Sequence, residues 1–199
     1  SAIVFGVRKF PIGAGLFKIE RGVSILDFSK IVPVFPKGIK IIKLKIDISE
    51  NRTFTHGDTN GDKIRVGHLS NPVSLGSYSA GDFDITRHDL TSFSDALTIV
   101  DDTNNQIFDI SNKKLLNALE NAINNRSFIH LSFLNELDFS GTEPTGNNFL
   151  DVSTLGKAGA TSMSLRVFYR TNSRRFQQGR GAFAGTDIRN SAGKGFGTF

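Results

Sequence analysis

The sequence contains no cysteine, which excludes disulfide bonds, thiolate metal ligands and catalysis by a thiol. Small secreted domains often depend on disulfides, so this absence mildly favours folding or assembly inside a cell. No apolar run approaches the roughly 18 residues that a transmembrane helix needs. Residues 1–6 also lack the charged and long apolar regions of a signal peptide, and we interpret them as a mature N-terminus. We therefore expect no membrane insertion.

Tryptophan is also absent and methionine occurs once, whereas Phe occurs 18 times. The core must therefore be built from Phe with Ile, Leu and Val. The chain has 199 residues, which suits one domain with an extra arm at either end. Its 20 Gly exceed the usual share of about 7%. This excess favours a loop-rich β protein over a helical bundle.

The net charge of +5 is unevenly distributed along the chain. Residues 1–45 carry nine Lys or Arg against two acids, and residues 46–169 carry nine against sixteen. Residues 170–199 carry six basic residues and one acid, so this tail alone makes the chain basic. A solvated polar tail is one reading. The other is an arm that meets nucleic acid or the acidic surface of a neighbouring subunit.

The pattern from residue 39 onwards predicts strands. Ile and Leu alternate with Lys40, Lys43, Lys45 and Asp47, so one face enters the core and a Lys row faces solvent, with an interruption at Ile41-Ile42. Further strands are predicted at 3–7, 16–19, 23–26, 52–56, 63–69, 82–86, 96–100, 106–110, 128–134 and 164–169. Asn60-Gly61 predicts a hairpin between two of them, and Pro33 and Pro36 make residues 32–35 an edge or a connection.

A single short helix interrupts these strands. Ser111 is its predicted cap, and Asn124-Asn125 its end. The apolar stripe that supports the helix consists of Leu115, Leu116, Ala118, Leu119, Ala122 and Ile123. A helix of this kind packs over one side of a β-sandwich. Its presence is explained by burial of its apolar stripe, without a catalytic role.

Four segments follow one another as an early strand, a strand followed by a helix, and two closing strands. They are Lys43-Leu44-Lys45-Ile46-Asp47-Ile48, then Ile107-Phe108-Asp109-Ile110-Ser111 with Leu115, Leu116 and Leu119, then residues 128–134 and 164–169. In this order, residues 39–169 resemble the disaggregatase-related jelly-roll domains, which are similar to carbohydrate-binding modules. The resemblance implies a jelly-roll fold. The chain departs from it in lacking Trp, which such modules often stack on sugar, and in its two arms.

The predicted fold is therefore an all-β, jelly-roll-like antiparallel β-sandwich with one short helix and extended N- and C-terminal arms. The arm or edge strands occupy residues 1–38, the sandwich 39–169 and the basic Gly- and Phe-rich tail 170–199. The tail shows no alternation that predicts a strand, and alone it should be disordered. Its Phe residues would anchor it on other surfaces, or it would fold back on its own sandwich.

Motifs that could carry chemistry are weak. Asp58, Asn60 and Asp62 match the first oxygens of a calcium loop and resemble the start of an EF-hand or dockerin loop, but Lys63 and Leu69 stand where Gly and the bidentate acid belong. We interpret this segment as a hairpin turn. His56 and His68 would face each other across it, and His88 and His130 lie elsewhere, with no metal-ligand spacing.

Carboxylates cluster at Asp82 and Asp84, at Asp101-Asp102, and at Glu136 and Asp138, where the first and last pairs would each share a strand face. Catalysis by such a pair needs a separation that the sequence does not reveal. No nucleophile elbow, Walker loop or dinucleotide fingerprint is present. We expect neither an enzyme nor a cofactor.

These features favour a virion structural protein: a jelly-roll capsid, decoration or head–tail component whose arms lock neighbouring subunits. The tail's Arg residues would pair with acidic loops near residues 82–102 of a neighbour, or with nucleic acid, since Arg174-Arg175-Phe176 and Arg180-Gly181 resemble arginine-glycine segments that bind single strands. The predicted contacts are Arg170, Arg174, Arg175, Phe176, Arg180, Phe183, Arg189, Lys194, Phe196 and Phe199. The alternative is a carbohydrate-binding or adhesion module, extracellular or on a cell surface, with glycan contacts at Tyr78, Asp82, Asp84 and an Asn147-Asn148 loop.

Overall fold

A computed structural model describes residues 3–9, 17–30, 35–49, 55–57, 63–70, 83–98, 106–142, 147–152, 162–171 and 176–183. Strands occupy most of these residues: β1 (Ile3–Lys9), β2 (Phe17–Glu20), β3 (Gly22–Asp27), β4 (Lys40–Ser49), β5 (Thr55–Gly57), β6 (Lys63–His68), β7 (Leu97–Thr98), β8 (Gln106–Ile110), β9 (Phe128–Asn135), β10 (Asn147–Val152), β11 (Ser162–Arg170) and β12 (Phe176–Phe183). The helices are α1 (Lys113–Asn124) and α2 (Glu136–Ser140).

The described strands form three four-stranded sheets. Sheet I has the order β2-β1-β10-β5, sheet II the order β12-β11-β4-β8, and sheet III the order β3-β9-β6-β7. Every pairing between these strands is antiparallel. The predicted all-β class is therefore confirmed.

Alternation along β4 gives sheet II two different faces. Leu44 and Ile46 are fully buried, whereas Lys43 and Lys45 are half-buried, because successive side chains of a strand point to opposite sides of the sheet. The predicted division of this strand into a core face and a Lys row is confirmed.

The interruption at Ile41-Ile42 is a β-bulge in the pairing of β4 with β11. Phe168 pairs with Lys43 and Tyr169 pairs with Ile41, so Ile42 has no opposite residue. An extra residue of this kind leaves the ladder and bends the strand. Ile42 consequently has 50% of its surface exposed although it is a large apolar residue.

The buried sides of sheets II and III meet in one hydrophobic cluster. It includes Leu44, Ile46, Leu165 and Val167 from sheet II, and Ile25, Val66, Leu131 and Phe133 from sheet III. Two sheets that share one core are consistent with a β-sandwich. The jelly-roll connection of the strands remains a prediction.

Helix α1 covers this core with an apolar stripe at helical spacing. Its fully or nearly fully buried residues are Leu115, Leu119, Ala122 and Ile123. The cap is Asn112 and not Ser111: the Asn112 carboxamide oxygen accepts hydrogen bonds from the backbone N–H groups of Lys114 and Leu115, at 2.9 and 3.2 Å. Its amide also donates to the carbonyl of Phe93 at 2.8 Å, a tertiary contact that favours Asn here. The end at Asn124, with Asn125 as its cap, is confirmed.

A second helix replaces a predicted strand face. Glu136 and Asp138 lie in α2, which Asn135 caps and Gly141 ends at a left-handed φ of 68°. The prediction of a single helix was therefore wrong. Asn135 explains the error, because its side chain accepts from the Leu137 N–H at 2.9 Å and turns the chain out of β9.

The predicted strand at 82–86 was also wrong, since residues 85–87 and 90–92 form two 3-10 turns. The Asp84 carboxylate accepts hydrogen bonds from the backbone N–H and the hydroxyl of Thr86, at 2.9 and 2.8 Å. Asp89 and Thr91 repeat this pattern at 3.2 and 2.7 Å. Short side-chain bonds of this kind compete with strand pairing.

The hairpin predicted across Asn60-Gly61 does not pair its two strands. In the described residues β5 pairs with β10, whereas β6 lies between β9 and β7 in another sheet. Ile64 and Val66 of β6 are buried, and this central position buries them better than a two-stranded ribbon would. His56 and His68 therefore lie on different sheets and are not opposite each other.

Residues 1–38 were predicted to form an N-terminal arm or edge strands. Of the strands in this segment, β2 and β3 lie at sheet edges. It also supplies Ile25, Leu26 and Phe28 to the core, each with at most 2% of its surface exposed. The predicted boundaries at residues 38 and 169 remain predictions.

Candidate functional site

The first half of the predicted tail is a strand. Residues 176–183 form β12, which pairs with β11, so the prediction that no strand lies in this segment was wrong. Arg170 ends β11 and is exposed, and Phe176, Arg180 and Phe183 lie in β12. The remaining predicted contacts, Arg174, Arg175, Arg189, Lys194, Phe196 and Phe199, fall outside the described residues. The alternative in which the tail folds back on its own sheet holds for β12.

The register of sheet II brings basic residues of separate segments together. Lys45 of β4 pairs with Arg166 of β11, and Arg166 pairs with Arg180 of β12. Four residues further along β11, Arg170 pairs with Lys40. Lys45 and Arg166, which lie more than a hundred residues apart in the chain, are thus neighbours in one sheet, and the register places Arg180 on the next strand.

We call the outward side of sheet II the basic face. Its described members alternate with buried residues of β4 and β11 and are half-buried or exposed. They are Lys40, Lys43, Lys45, Arg166, Phe168 and Arg170. The face therefore combines five cations with one aromatic ring, the combination found in surfaces that bind polyanions.

Two carboxylates partly neutralise the described part of this face: Glu120 of α1 lies 3.1 Å from the Lys40 ammonium, and Asp109 contacts two further lysines. Asp109 of β8 lies 2.9 Å from the Lys43 ammonium and 3.4 Å from that of Lys45. The hydrogen bond from Lys43 is the main cause that keeps the pKa of Asp109 below its ordinary value, and Lys45 adds to the effect. Because the Asp109 side chain is 57% exposed, these ion pairs are screened by water and leave the cations available to a partner.

A groove of about 620 Å³ adjoins the basic face where β8 ends and α1 begins. Lys40, Lys43 and Asp109 line both the groove and the face. Its remaining walls are apolar at Ile41, Ile42, Ile110 and Leu116 and polar at Ser111, Lys113 and Asn117. The groove is open to solvent along one side, and its mixture of apolar walls and a few polar groups is one that ligand sites also have.

Helix α1 holds one wall of this groove in place. Glu120 accepts a hydrogen bond from the Ile41 N–H at 2.8 Å and one from the Lys40 ammonium at 3.1 Å. Asn124 accepts from the Ile39 N–H and donates to the Ile39 carbonyl, both at 3.0 Å. These bonds occupy backbone groups of Ile41 in β4 and of Ile39 just before it, beyond the end of the pairing with β8.

A buried polar network lies on sheet III, away from the groove. His88 bonds through Nδ1 to the hydroxyl of Ser132, and burial lowers the pKa of His88 to about 4. Nearby, the Arg21 guanidinium donates to both oxygens of Asp138 at 2.8 Å and to the Phe83 carbonyl at 2.7 Å. Ser132 has no exposed surface, so its hydroxyl cannot reach a substrate. The network joins the 83–92 segment to β9 and α2.

The other predicted candidates do not form a site in the described residues. Glu136 pairs with Arg65, and Asp138 with Arg21, so both carboxylates belong to structural ion pairs. No group of three or more His, Asp or Glu in this part of the chain is arranged to hold a metal ion. Neither described helix is long and apolar enough to cross a membrane.

The calcium-loop residues Asp58, Asn60 and Asp62 lie outside the described residues, and so do the acids Asp101-Asp102. Leu69, at the expected ligand position of that loop, is buried beside His88. For the glycan alternative, Tyr78 and Asp82 lie outside, and Asp84 caps a 3-10 turn. Asn147 and Asn148 were predicted in a loop, but they pair with Arg8 and Val7 in sheet I.

Sequence reasoning missed Arg166 as a site residue, although its alternation with Leu165 and Val167 could have placed it on the outward face. The groove gave no local sequence signal, because it depends on where β8 ends against β4. No protein-family model, curated protein or solved structure matches this chain. The basic face and its groove therefore carry the functional conclusion.

Proposed function

We propose that this chain is a virion structural protein, a jelly-roll capsid, decoration or head–tail component, whose basic face holds an acidic component of the particle. The observation that carries the proposal is the register of sheet II. It places cations from β4, β11 and β12 on adjacent strands. A rigid sheet that presents several cations with few carboxylates binds an extended acidic partner better than a small substrate.

The chemistry of the face supports binding and not catalysis. The described polar groups on or beside it are ammonium and guanidinium groups, Asp109, which two of the lysines hold ionised, and Glu120, which accepts hydrogen bonds from Lys40 and from the Ile41 N–H. A general base needs a pKa near the working pH, and the pKa of Asp109 is shifted away from it. We accordingly propose that the protein is not an enzyme.

The arms have separate roles in this proposal. Strand β12 completes the body of the protein, so contacts between subunits fall to the tail beyond residue 183. Its Phe196 and Phe199 would insert into a neighbour, and Arg189 and Lys194 would pair with that neighbour's acidic segment. The body between residues 46 and 169, with sixteen acids against nine basic residues, offers such a segment.

Sedimentation velocity of the full chain tests the assembly. The tail variant replaces Arg189, Lys194, Phe196 and Phe199 by Ser, and the control variant replaces Ser191 and Thr198 by Ala. We expect the unaltered chain and the control to form concentration-dependent larger species that the tail variant loses. A chain that stays monomeric at every concentration contradicts the proposal. Glycan binding on an array, unaffected by changes in the basic face, would favour the carbohydrate-binding alternative in its place.

A further inference from the structure

We infer that the acidic partner of the basic face is single-stranded nucleic acid, and that the adjoining groove takes one unstacked base. The inference rests on the proposed function, and it adds the chemical class of the partner. Three features carry it: the spacing of the cations, the aromatic ring among them, and the groove that continues the face.

The cations form a two-dimensional array. Lys43 and Lys45 lie two residues apart on β4, which separates them by about 7 Å along the strand. Arg166 lies opposite Lys45 on the adjacent strand, about 5 Å away. This spacing suits the regularly repeated phosphates of an extended strand, each of which can approach a different cation. Arg170 and Lys40 continue the array by one further pair.

The aromatic ring makes the face suited to unpaired bases. Phe168 lies between Arg166 and Arg170 on the outward side of β11 and is half-buried. Bases of a single strand stack on such rings whatever their sequence, and phosphates bind the neighbouring cations. A duplex keeps its bases stacked inside and would use only the charges.

The groove has the dimensions and the chemistry for a base beside this path. Its volume of about 620 Å³ is bounded by the apolar side chains of Ile42 and Leu116 and by the polar ones of Ser111 and Asn117. A flipped-out base is flat and apolar on its faces and polar at its edges. Lys43 lines both the groove and the face, so a phosphate there connects the bound base to the strand on the sheet.

An acidic protein segment would use only part of this arrangement. Its carboxylates would satisfy the lysines and arginines, but they would leave Phe168 and the groove without a role. Single-stranded nucleic acid uses all three features together. The test therefore compares nucleic acids with a polypeptide of the same charge.

Fluorescence anisotropy of a labelled oligothymidylate of about twelve nucleotides measures binding by the full chain. We expect the single strand to bind about tenfold more tightly than its duplex with oligoadenylate, and polyglutamate to compete weakly. Raising the salt concentration from about 50 to 200 mM should weaken binding strongly. Lys45→Ala should reduce the steepness of the log–log salt dependence by about 0.7, the loss of one phosphate contact. Lys63→Ala, an exposed lysine on sheet III, should leave it unchanged.

Two further pairs of variants test the ring and the groove. Phe168→Leu keeps an apolar side chain but removes the stacking surface, and it should weaken binding about fivefold or more. Asn117→Trp fills the groove without a change of charge and should weaken binding about tenfold while the salt dependence stays the same. Asn121→Trp, one turn further along the exposed side of α1, is its control and should bind normally.

The inference is overturned if the duplex binds as tightly as the single strand, if polyglutamate competes equally well, or if Asn117→Trp and Asn121→Trp bind alike. Loss of oligonucleotide binding with normal self-association would leave the proposed structural role standing with a protein as the acidic partner. Failure of self-association with intact oligonucleotide binding would overturn the structural role and retain the nucleic-acid site.

Discussion

The stability of the protein between pH 4 and pH 7 should depend on one buried histidine. His88 has 4% of its surface exposed, and its Nδ1 bonds to Ser132 of β9. Burial is the largest cause that lowers its pKa from 6.5 to about 4, and the charge of Arg21 acts in the same direction. Asp138 and Asp84 raise the pKa but do not compensate for burial.

The sign and the size of the effect follow from these two pKa values. Between about pH 6.5 and pH 4 the unfolded chain binds a proton at His88 that the folded protein does not bind. The stabilisation is therefore complete above pH 6.5 and is lost as the pH falls towards 4. From pH 7 to pH 5, a shift of this size lowers the free energy of unfolding by about 2 kcal/mol.

Urea unfolding followed by circular dichroism at several pH values measures this loss. His88→Gln is the control, because an amide can bond to Ser132 but does not titrate. The carboxylates with lowered pKa, Asp84, Asp89 and Asp109, titrate below this window and are present in both proteins. We expect the unaltered protein to lose about 2 kcal/mol more than the variant. Equal pH dependence in the two proteins would refute the assignment.

Three changes test the packing by urea unfolding. Gly67→Ala should cost about 1–3 kcal/mol, because its Cβ would lie 2.4 Å from the Phe93 ring; Phe93→Leu in the same chain should restore part of this loss, and no loss would contradict the close approach. Asn112→Ala should cost about 1–2 kcal/mol, and Ser111→Ala less than about 0.5 kcal/mol; equal losses would refute the assigned cap. Leu119→Ala should cost about 2–5 kcal/mol, since Leu119 is fully buried in the core, and a loss below 1 kcal/mol would argue against that burial.

The alternation of apolar and polar residues predicted the strands that bury one face and expose the other. The alternation around Leu44 and Ile46 indicated β4, and its interruption at Ile41-Ile42 coincides with the bulge. The predicted bounds of β8 are confirmed, and those of β9 differ by one residue. These elements were readable because burial of one face imposes a period of two on the sequence.

Elements that depend on a single side-chain bond or on a distant partner were not readable. Asp84 and Asp89 form turns through their own Thr neighbours, and the repeated Asp-x-Thr pattern was the available signal. The Asn60-Gly61 dipeptide is a local hairpin signal, but β6 gains more from its place between β9 and β7. Strand β12 has too many glycines to show alternation, and pairing with β11 defines it.

The candidate site was accessible from the sequence only in part. The basic character of the tail and the Lys row of β4 were both evident from composition and alternation. Their pairing in one sheet was not, since the register of Lys45 with Arg166 and of Arg166 with Arg180 is a property of the assembled sheet. The groove likewise exists only because β8 stops opposite Leu44.

The contact between α1 and β4 also bears on aggregation. Within the part of the chain that the structure describes, no strand lies beside β4 on the β8 side past Leu44. An open edge is a template on which another chain can add a strand. Glu120 and Asn124 occupy the backbone groups of Ile41 and Ile39 that such a strand would use. The helix thus substitutes for a missing strand, and a chain in which α1 has come away would present a free Ile-rich edge to its neighbours. Fibril formation should therefore begin with the detachment of this helix and not with the separation of the sheets.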